Sequence, residues 1–235
     1  MNESIARLST GIRTMYGGDS AGQSIANSIG SKGASFAVAA RNAEDGISFL
    51  QSAESVLLEL AALTTRMREL GLQHGNLNLL TTADNTAISA EAAAISAAFD
   101  AITTNTKFNG IVVTGDADIA LAIDDSGNTV TVGSTAALTS LAVTGTTAVA
   151  TADVTQSEIA TALGAVAAGM SALKGYQAVA QATAANLNAA AARIQDTDYA
   201  METANLTKAT ILNQAAMAMV SQANDAQAAV LAVIQ

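Results

Sequence analysis

The stretch Thr155–Ile194, TQSEIATALGAVAAGMSALKGYQAVAQATAANLNAAAARI, decides the fold. Apolar and small residues recur in it at alternating spacings of four and three, the heptad pattern of a helix that packs along another helix. The positions in the pattern are Ile159, Leu163, Val166, Met170, Leu173, Gln177, Ala180, Ala184, Leu187, Ala191 and Ile194. The pattern continues for about five heptads, so it predicts one long helix.

Ser35–Leu72 is the natural partner, because it is equally long and has its own apolar stripe. The stripe contains Ala53, Val56, Leu60, Leu63, Met67 and Leu70. We expect the two helices to pack antiparallel. A shorter helix is predicted over Asn85–Thr104. The glycines of Gly11–Gly33 predict a loop there, with a short helical piece near Gly22–Ile29.

Residues 108–154 change in character, with repeated glycines and many Val, Thr and Ile. Ile111–Val113, Ile119–Ile123 and Thr129–Val132 read as short strands. Residues 124–128, DDSGN, supply turn chemistry for a hairpin between the last two. The predicted fold is therefore mainly α, a long antiparallel helical coiled-coil rod with a small β-rich insert.

The composition favours assembly over an ordinary soluble globule. Aromatic residues make up 3% of the chain and charged residues 13%. Alanine-rich helices bury little apolar area per residue, so they need long contacts or several partners. The C-terminal part, Asp196–Gln235, is apolar on more than one face, and such a helix is unstable in water on its own.

Charge and residue usage exclude several classes of function. The net charge of −10 disfavours nucleic acid and anionic membrane as partners. Without cysteine there is no disulfide scaffold and no thiol chemistry. His74 is the only histidine and lies in a predicted turn, and no set of nucleophile, base and orienting group stands out. We therefore predict no catalytic residue, no cofactor and no metal.

Several short motifs, in order along the chain, resemble those of bacterial flagellins. They are RLSTGIR at Arg7–Arg13, DSAGQSIAN at Asp19–Asn27, RNAEDGIS at Arg41–Ser48, FNG at Phe108–Gly110, RIQDTDYA at Arg193–Ala200 and QAN at Gln222–Asn224 with Val230-Leu231 after it. The resemblance implies a subunit that self-assembles into the extracellular flagellar filament and is assisted by an export chaperone and by cap and junction proteins.

The resemblance also implies a division of the chain. Residues 1–34 would be an N-terminal loop or spoke segment, 35–107 and 155–197 the helices of the rod domain, 108–154 the solvent-facing insert, and 198–235 the inner-tube helix. Flagellins usually begin with an apolar helix before the first motif, whereas six residues precede Arg7 here. A fragment, a misplaced start or a shortened protein would each give this beginning. Residues 1–9 lack the features of a secretory signal, so export without a cleaved signal is expected.

Candidate interface residues follow from the motifs and the apolar tail. Arginine forks and carboxylates would set the register between subunits, and apolar residues would supply affinity. They are Arg7, Arg13, Arg41, Asp45, Asp196, Asp198, Val220, Val230 and Leu231. The resemblance further places Arg66, Leu70 and Glu91 at positions that a vertebrate Toll-like receptor recognises in flagellins.

Two other functions fit the same pattern. A flagellar hook-filament junction protein would share the helical ends, although the closing motifs favour a filament subunit. A soluble helical coiled-coil interaction protein would stop at a discrete dimer or trimer. Seeded fibre formation separates both from a filament subunit.

Overall fold

The computed structural model of the chain describes residues 2–15, 18–76, 79–114, 119–132, 138–142 and 145–234, without the side chains of 145, 146 and 231–234. These residues form five helices and four short strands. The helices are α1 (Asn2–Thr10), α2 (Ser20–His74), α3 (Thr82–Asn105), α4 (Gly145–Gln195) and α5 (Tyr199–Ile234). The strands are β1 (Lys107–Phe108), β2 (Ile111–Val112), β3 (Ile119–Ala122) and β4 (Thr129–Val132). The mainly α fold with a small β-rich insert is thus confirmed.

The chain divides into two compact units. Unit 1 comprises Met1–Gly33 and Ala185–Gln235, and unit 2 comprises Ala34–Ala184. Unit 2 holds the main hydrophobic core. Unit 1 contains α1, α5, the beginning of α2 and the end of α4.

In unit 2, α2 and α4 pack antiparallel, as the heptad pattern predicts. Positions that rise along α2 meet positions that fall along α4: Gly46 lies against Leu173, Leu50 against Gly169, and Gly71 against Val149. At Gly71, an added Cβ would lie 2.9 Å from Val149 Cγ2 and 3.1 Å from its backbone nitrogen. A glycine is needed there because the two helix backbones come so close.

The predicted stripes form the core of unit 2. The largest fully buried side chains come from α2, α3 and α4 and include Leu50, Leu57, Leu60, Met67, Leu70, Phe99, Ile159 and Leu173. Elsewhere along the same pair of helices the buried contact is made by smaller side chains. There Ala39, Ala40 and Ala180 form a separate small cluster. Since alanines bury little area, stabilisation by burial is concentrated at the leucine-rich part.

The short helical piece predicted near Gly22–Ile29 is confirmed, but the loop predicted beside it up to Gly33 is wrong, because α2 runs without a break from Ser20. Asp19 caps the helix: its Oδ1 accepts a hydrogen bond of 2.8 Å from the Gly22 amide. Gly33 does not break α2 but lets α4 approach, since an added Cβ would lie 2.5 Å from Asn188 Oδ1. Gly33 therefore serves close packing within unit 1, and the sequence pattern alone does not distinguish such a glycine from one in a turn.

The helix α4 begins earlier than the sequence predicts. The pattern predicts an insert that reaches residue 154 and a long helix from Thr155, but α4 begins at Gly145. Ala148 and Ala152, four residues apart, are buried against the core, so this first stretch packs as part of the helix. Between the insert and α4, the Leu141 side chain is buried, and its carbonyl accepts a hydrogen bond of 3.0 Å from Ser96 Oγ.

The described part of the insert region contains two antiparallel hairpins, and the predicted hairpin around residues 124–128 is confirmed. β3 pairs with β4, with Ile119 opposite Val132. Asp124 Oδ1 accepts hydrogen bonds from the amides of Ser126 and Asn128. The hydrogen bond from the Asn128 side chain, and then these backbone amides, lower the pKa of Asp124. Asn42 of α2 donates a hydrogen bond of 3.1 Å to the Ala122 carbonyl and so fixes the hairpin to the helix.

By length and composition alone, one described helix, α2, is apolar enough to cross a membrane. The same helix supplies Leu50, Leu57 and Leu60 to the core of unit 2. A core helix of a soluble protein passes the same test.

A capping box begins α3 and gives a testable stability contribution. The Asp84 amide donates to Thr81 Oγ1, and the Thr81 amide donates to Asp84 Oδ2. Thr81→Ala should lower the free energy of unfolding by about 1 kcal/mol, measured by urea denaturation of the free chain. Thr86→Ala is the control, because Thr86 only donates to a carbonyl within the helix, and its effect should be smaller.

The same box predicts a dependence on pH. Hydrogen bonds from the Thr81 side chain and amide hold the pKa of Asp84 below its ordinary value of 3.8. Its contribution is therefore complete above that ordinary value and is lost as the pH falls through the lower folded pKa. The difference between wild type and Asp84→Asn should shrink in acid, and a constant difference would contradict this assignment.

Candidate subunit interface

Within the described chain, residues 211–230 of α5 form a long surface of exposed apolar side chains. Every residue from 211 to 230 is exposed in the single chain. This stretch includes large apolar side chains, among them Met217 at 71% and Val220 at 60% exposure. Monomeric soluble proteins seldom leave so much contiguous apolar surface in water, so this stretch has the character of a contact surface.

The predicted interface residues Val220 and Val230 are both exposed on this stretch. Leu231 lies one residue further along α5, and its side chain falls outside the described residues. The described apolar side chains do not fall on one narrow stripe. Met217 and Met219, for example, point to nearly opposite sides of the helix, about 200° apart. A single partner helix would therefore leave one side uncovered.

The first turns of α5 are held firmly within unit 1. Asp198 caps the helix, because its Oδ1 accepts hydrogen bonds from the amides of Ala200 (2.9 Å) and Met201 (3.2 Å). Just before it, an antiparallel bridge joins Ile12 to Asp196, whose side chain is exposed. The amide of Thr197 donates to the Gly11 carbonyl at 2.9 Å. α5 therefore leaves unit 1 from a fixed start.

Arg7 also ties the N-terminal segment to α5. Its guanidinium lies 3.9 Å from the Glu202 carboxylate and 3.8 Å from that of Glu3. Glu202 is only 7% exposed, so the Arg7 charge lies close to a buried carboxylate. Arg7 therefore has a partner within its own chain.

Arg13 joins three parts of unit 1. It forms an ion pair of 3.1 Å with Asp19 and donates to the Ile194 carbonyl at 3.0 Å. The hydrogen bond from the Gly22 amide, and then the Arg13 guanidinium, lower the pKa of Asp19. Arg41 and Asp45, by contrast, are exposed on α2, and Arg41 donates to the Ala37 carbonyl of its own helix, at 3.4 Å.

The positions matching the receptor segment behave differently from one another. Arg66 on α2 forms a salt bridge of 2.6 Å with Glu91 of α3 and another of 2.9 Å with Glu69. The hydrogen bonds to Glu91 and Glu69 raise the pKa of Arg66. Leu70 matches a position of the receptor segment, but it is 1% exposed and belongs to the core of unit 2. Its position in the core stripe, three residues after Met67, already pointed to this.

Sequence reasoning does not predict three of the side-chain contacts within this chain. Arg68 pairs with Asp153 of α4 at 2.7 Å. Glu202 is the buried partner of Arg7. In unit 1, Asn27 Oδ1 accepts hydrogen bonds of 3.1 Å from both Gln23 and Gln195. An antiparallel register between α2 and α4 would have brought out the first and third of these pairs; no simple pattern indicated the second.

The described residues contain no group of three or more His, Asp or Glu side chains placed to hold a metal ion. Several of their ion pairs join separate helices, among them Arg66 with Glu91 and Arg68 with Asp153. The fold and the exposed α5 surface together define a class of protein, a helical subunit with a folded core and a terminal helix whose apolar side chains are exposed.

Comparison with known proteins agrees with this class. The bacterial flagellin N-terminal helical region matches residues 1–113, and the bacterial flagellin C-terminal helical region matches residues 144–234. A flagellin of Halalkalibacterium halodurans is 31% identical, and the alignment covers 99% of this chain and 91% of that protein. The flagellar filament 33 kDa core protein of Treponema phagedenis is 30% identical, with 100% and 92% covered. A Bacillus cereus flagellin structure covers 71% of this chain and 94% of its own, at 21% identity and a TM-score of 0.42.

The chain belongs to the bacterial flagellin family. It is a structural subunit that polymerises into the flagellar filament, which lies outside the cell, and it is not an enzyme.

Proposed function

We propose that residues 211–230 of α5 form the principal surface through which copies of this chain hold one another in the filament. The observation that carries this proposal is that the whole stretch is helical, rich in apolar residues and exposed. Burying apolar area stabilises association by about 25 cal/mol per Å². Because apolar side chains point to several sides of α5, several neighbouring copies can each cover part of it.

The two units then divide the work. Unit 2 has a closed core of leucines, so it serves as the self-sufficient rod domain, with the insert facing solvent. α5 has no such core beyond residue 210 and serves as the inner-tube helix. The ion pair of Arg7 with Glu202 holds the start of α5 within the chain, and Arg13 joins Asp19 to the end of α4. Arg41, Asp45 and Asp196, whose side chains are exposed, remain predicted contacts between copies.

The same surface calls for protection before assembly. An exposed apolar helix in a concentrated subunit pool would associate prematurely, so an export chaperone that covers α5 fits the chemistry. Cap and junction proteins would meet the end subunits of the filament, where part of this surface stays uncovered. Export without a cleaved signal peptide stays a prediction, which the N-terminal sequence of the secreted chain tests.

A vertebrate Toll-like receptor remains a proposed partner. The support is the exposed, ion-paired Arg66 and Glu91, 43% and 46% exposed at their side chains. Leu70 would act by positioning α2 rather than by direct contact, because it is buried. Arg66→Ala should then reduce receptor signalling, while Leu70→Met, which keeps the core filled, should leave it unchanged.

Seeded polymerisation tests the proposed function. Purified chain, mixed with short filament fragments, should extend them into long fibres visible by electron microscopy. A junction protein or a soluble coiled coil would instead stop at small oligomers. Small oligomers under seeded conditions would contradict the proposal.

A further inference from the structure

We propose that Met217 and Met219 are oxidation sites through which hydrogen peroxide, or another two-electron oxidant, controls the ability of the free chain to polymerise. The proposal rests on the α5 interface proposed above. Beyond that interface, it adds a covalent modification. Its consequence is that the free subunit is sensitive to the oxidant, whereas the subunit within the filament is protected from it.

Methionine is the principal target for such an oxidant in this chain. The sequence has no cysteine, so the methionine thioethers are its only sulfur groups. It also has no tryptophan. Seven methionines are present, and their exposure differs widely. Met67 is 0% exposed in the core of unit 2, whereas Met201, Met217 and Met219 in α5 are 68%, 71% and 73% exposed. Reaction with an oxidant in solution should follow this difference in access.

Two of these sulfurs lie within the proposed contact surface. Met217 and Met219 fall inside residues 211–230, on nearly opposite sides of α5, about 200° apart. Met217 shares its side with Ala216 and Val220, which border the same shallow groove. Met201 lies in the first turn, beside the Asp198 cap and outside the proposed surface. The chain thus supplies an exposed methionine of the same helix as an internal comparison.

The reaction balances without any group from the protein. The methionine sulfur attacks one oxygen of hydrogen peroxide, the oxygen–oxygen bond breaks, a sulfur–oxygen bond forms, and water leaves. The sulfur loses two electrons, and the peroxide gains these two electrons. The product, methionine sulfoxide, replaces a flexible apolar side chain by a polar one with a strong hydrogen-bond acceptor.

A sulfoxide at either position opposes burial. In the filament the new oxygen would have to lose its water at a contact between apolar side chains, and an acceptor buried without a partner is costly. We expect the critical concentration for polymerisation to rise about tenfold for each such oxygen left unpartnered. Once polymerised, the same sulfurs are covered, so the filament resists the oxidant that disables the free chain.

The experiment treats the free chain and preformed filaments with the same dose of hydrogen peroxide. Peptide mass spectrometry then measures added oxygen at each methionine, and seeded polymerisation measures assembly. In the free chain, Met201, Met217 and Met219 should be oxidised well before Met67, and assembly should be lost. In filaments, oxidation of Met217 and Met219 should be strongly reduced. Methionine sulfoxide reductases acting on the oxidised free chain should restore assembly without any mutation.

Two matched variants locate the effect. Met217→Leu/Met219→Leu is compared with itself before and after peroxide, and the critical concentration that it shows before treatment should not change afterwards, because leucine has no sulfur to oxidise and fills a similar volume. Met201→Leu removes an equally exposed thioether and should stay as sensitive as wild type. The proposal is overturned if oxidised wild type assembles normally, if the double variant remains sensitive, or if reduction fails to restore assembly. A chain that is insensitive to oxidation but is disabled by Val220→Asp would contradict this inference alone and leave the α5 interface standing.

Discussion

Val220→Asp should abolish polymerisation at concentrations where the wild-type chain forms filaments. Val220 is 60% exposed in the single chain, so aspartate is easily accommodated there before assembly. In the filament the carboxylate would be buried among apolar side chains without a partner, which costs about 3 kcal/mol or more. A cost of that size raises the critical concentration by about a hundredfold or more. Sedimentation of seeded reactions across a concentration series measures it.

Two controls separate this effect from misfolding and from added charge. Val220→Ala keeps the helix and an apolar surface, so it should assemble with a modest rise in critical concentration. Thr131→Asp adds the same charge on the exposed side of the β3–β4 hairpin and should assemble like wild type. Equal assembly by Val220→Asp and wild type would show that α5 is not the contact surface. A loss of assembly by Thr131→Asp would show that charge anywhere suffices.

Leu60→Ala should destabilise the free chain more than any substitution on the exposed surface. Leu60 is 0% exposed in the core of unit 2, where it packs among residues of the leucine-rich cluster. Removing its side chain loses apolar burial and leaves a cavity, which typically costs about 2–5 kcal/mol. Urea unfolding of the free chain, followed by far-ultraviolet circular dichroism, measures the change.

The control lies two residues away on the same helix. Leu58 is 56% exposed, and Leu58→Ala should change the free energy of unfolding by less than about 0.5 kcal/mol. Both variants remove the same atoms from α2, so the helix propensity changes equally and only the burial differs. Similar losses for the two variants would contradict the assignment of Leu60 to the core.

The heptad positions were the part of the fold most accessible from the sequence. The stripe from Ile159 to Ile194 and that from Ala53 to Leu70 are buried or half-buried as expected. Repeated spacing is informative because each position adds to the same side of a helix. The turn at residues 124–128 was equally readable, since Asp124 and Gly127 carry strong local preferences.

Glycine was the main source of error. Gly33 looked like a helix breaker, but its meaning depends on Asn188, which lies far along the chain and comes close only after α2 and α4 have paired. The early start of α4 has a similar cause. Its first buried residues are alanines, such as Ala148 and Ala152, and they show no amphipathic contrast until the core is in place.

For the candidate interface too, one part could be predicted from the sequence and another part could not. The apolar residues of α5 could be predicted, because an excess of exposed apolar side chains follows from composition and periodicity. The partners of the arginines could not, since Arg7 with Glu202 and Arg66 with Glu91 are set by how separate helices meet. Motif resemblance suggested that these residues matter without indicating that each already has a partner within its own chain.

Hydrogen–deuterium exchange of the free chain and of filaments tests the central claim most directly. Amides of residues 211–230 should exchange fast in the free chain, where no tertiary contact protects the helix, and much more slowly in filaments, where neighbouring copies cover it. Amides around Leu57 and Leu60 should be slow in both states and serve as the internal reference. Equal exchange of residues 211–230 in the two states would contradict the account, because it would mean that polymerisation leaves α5 uncovered.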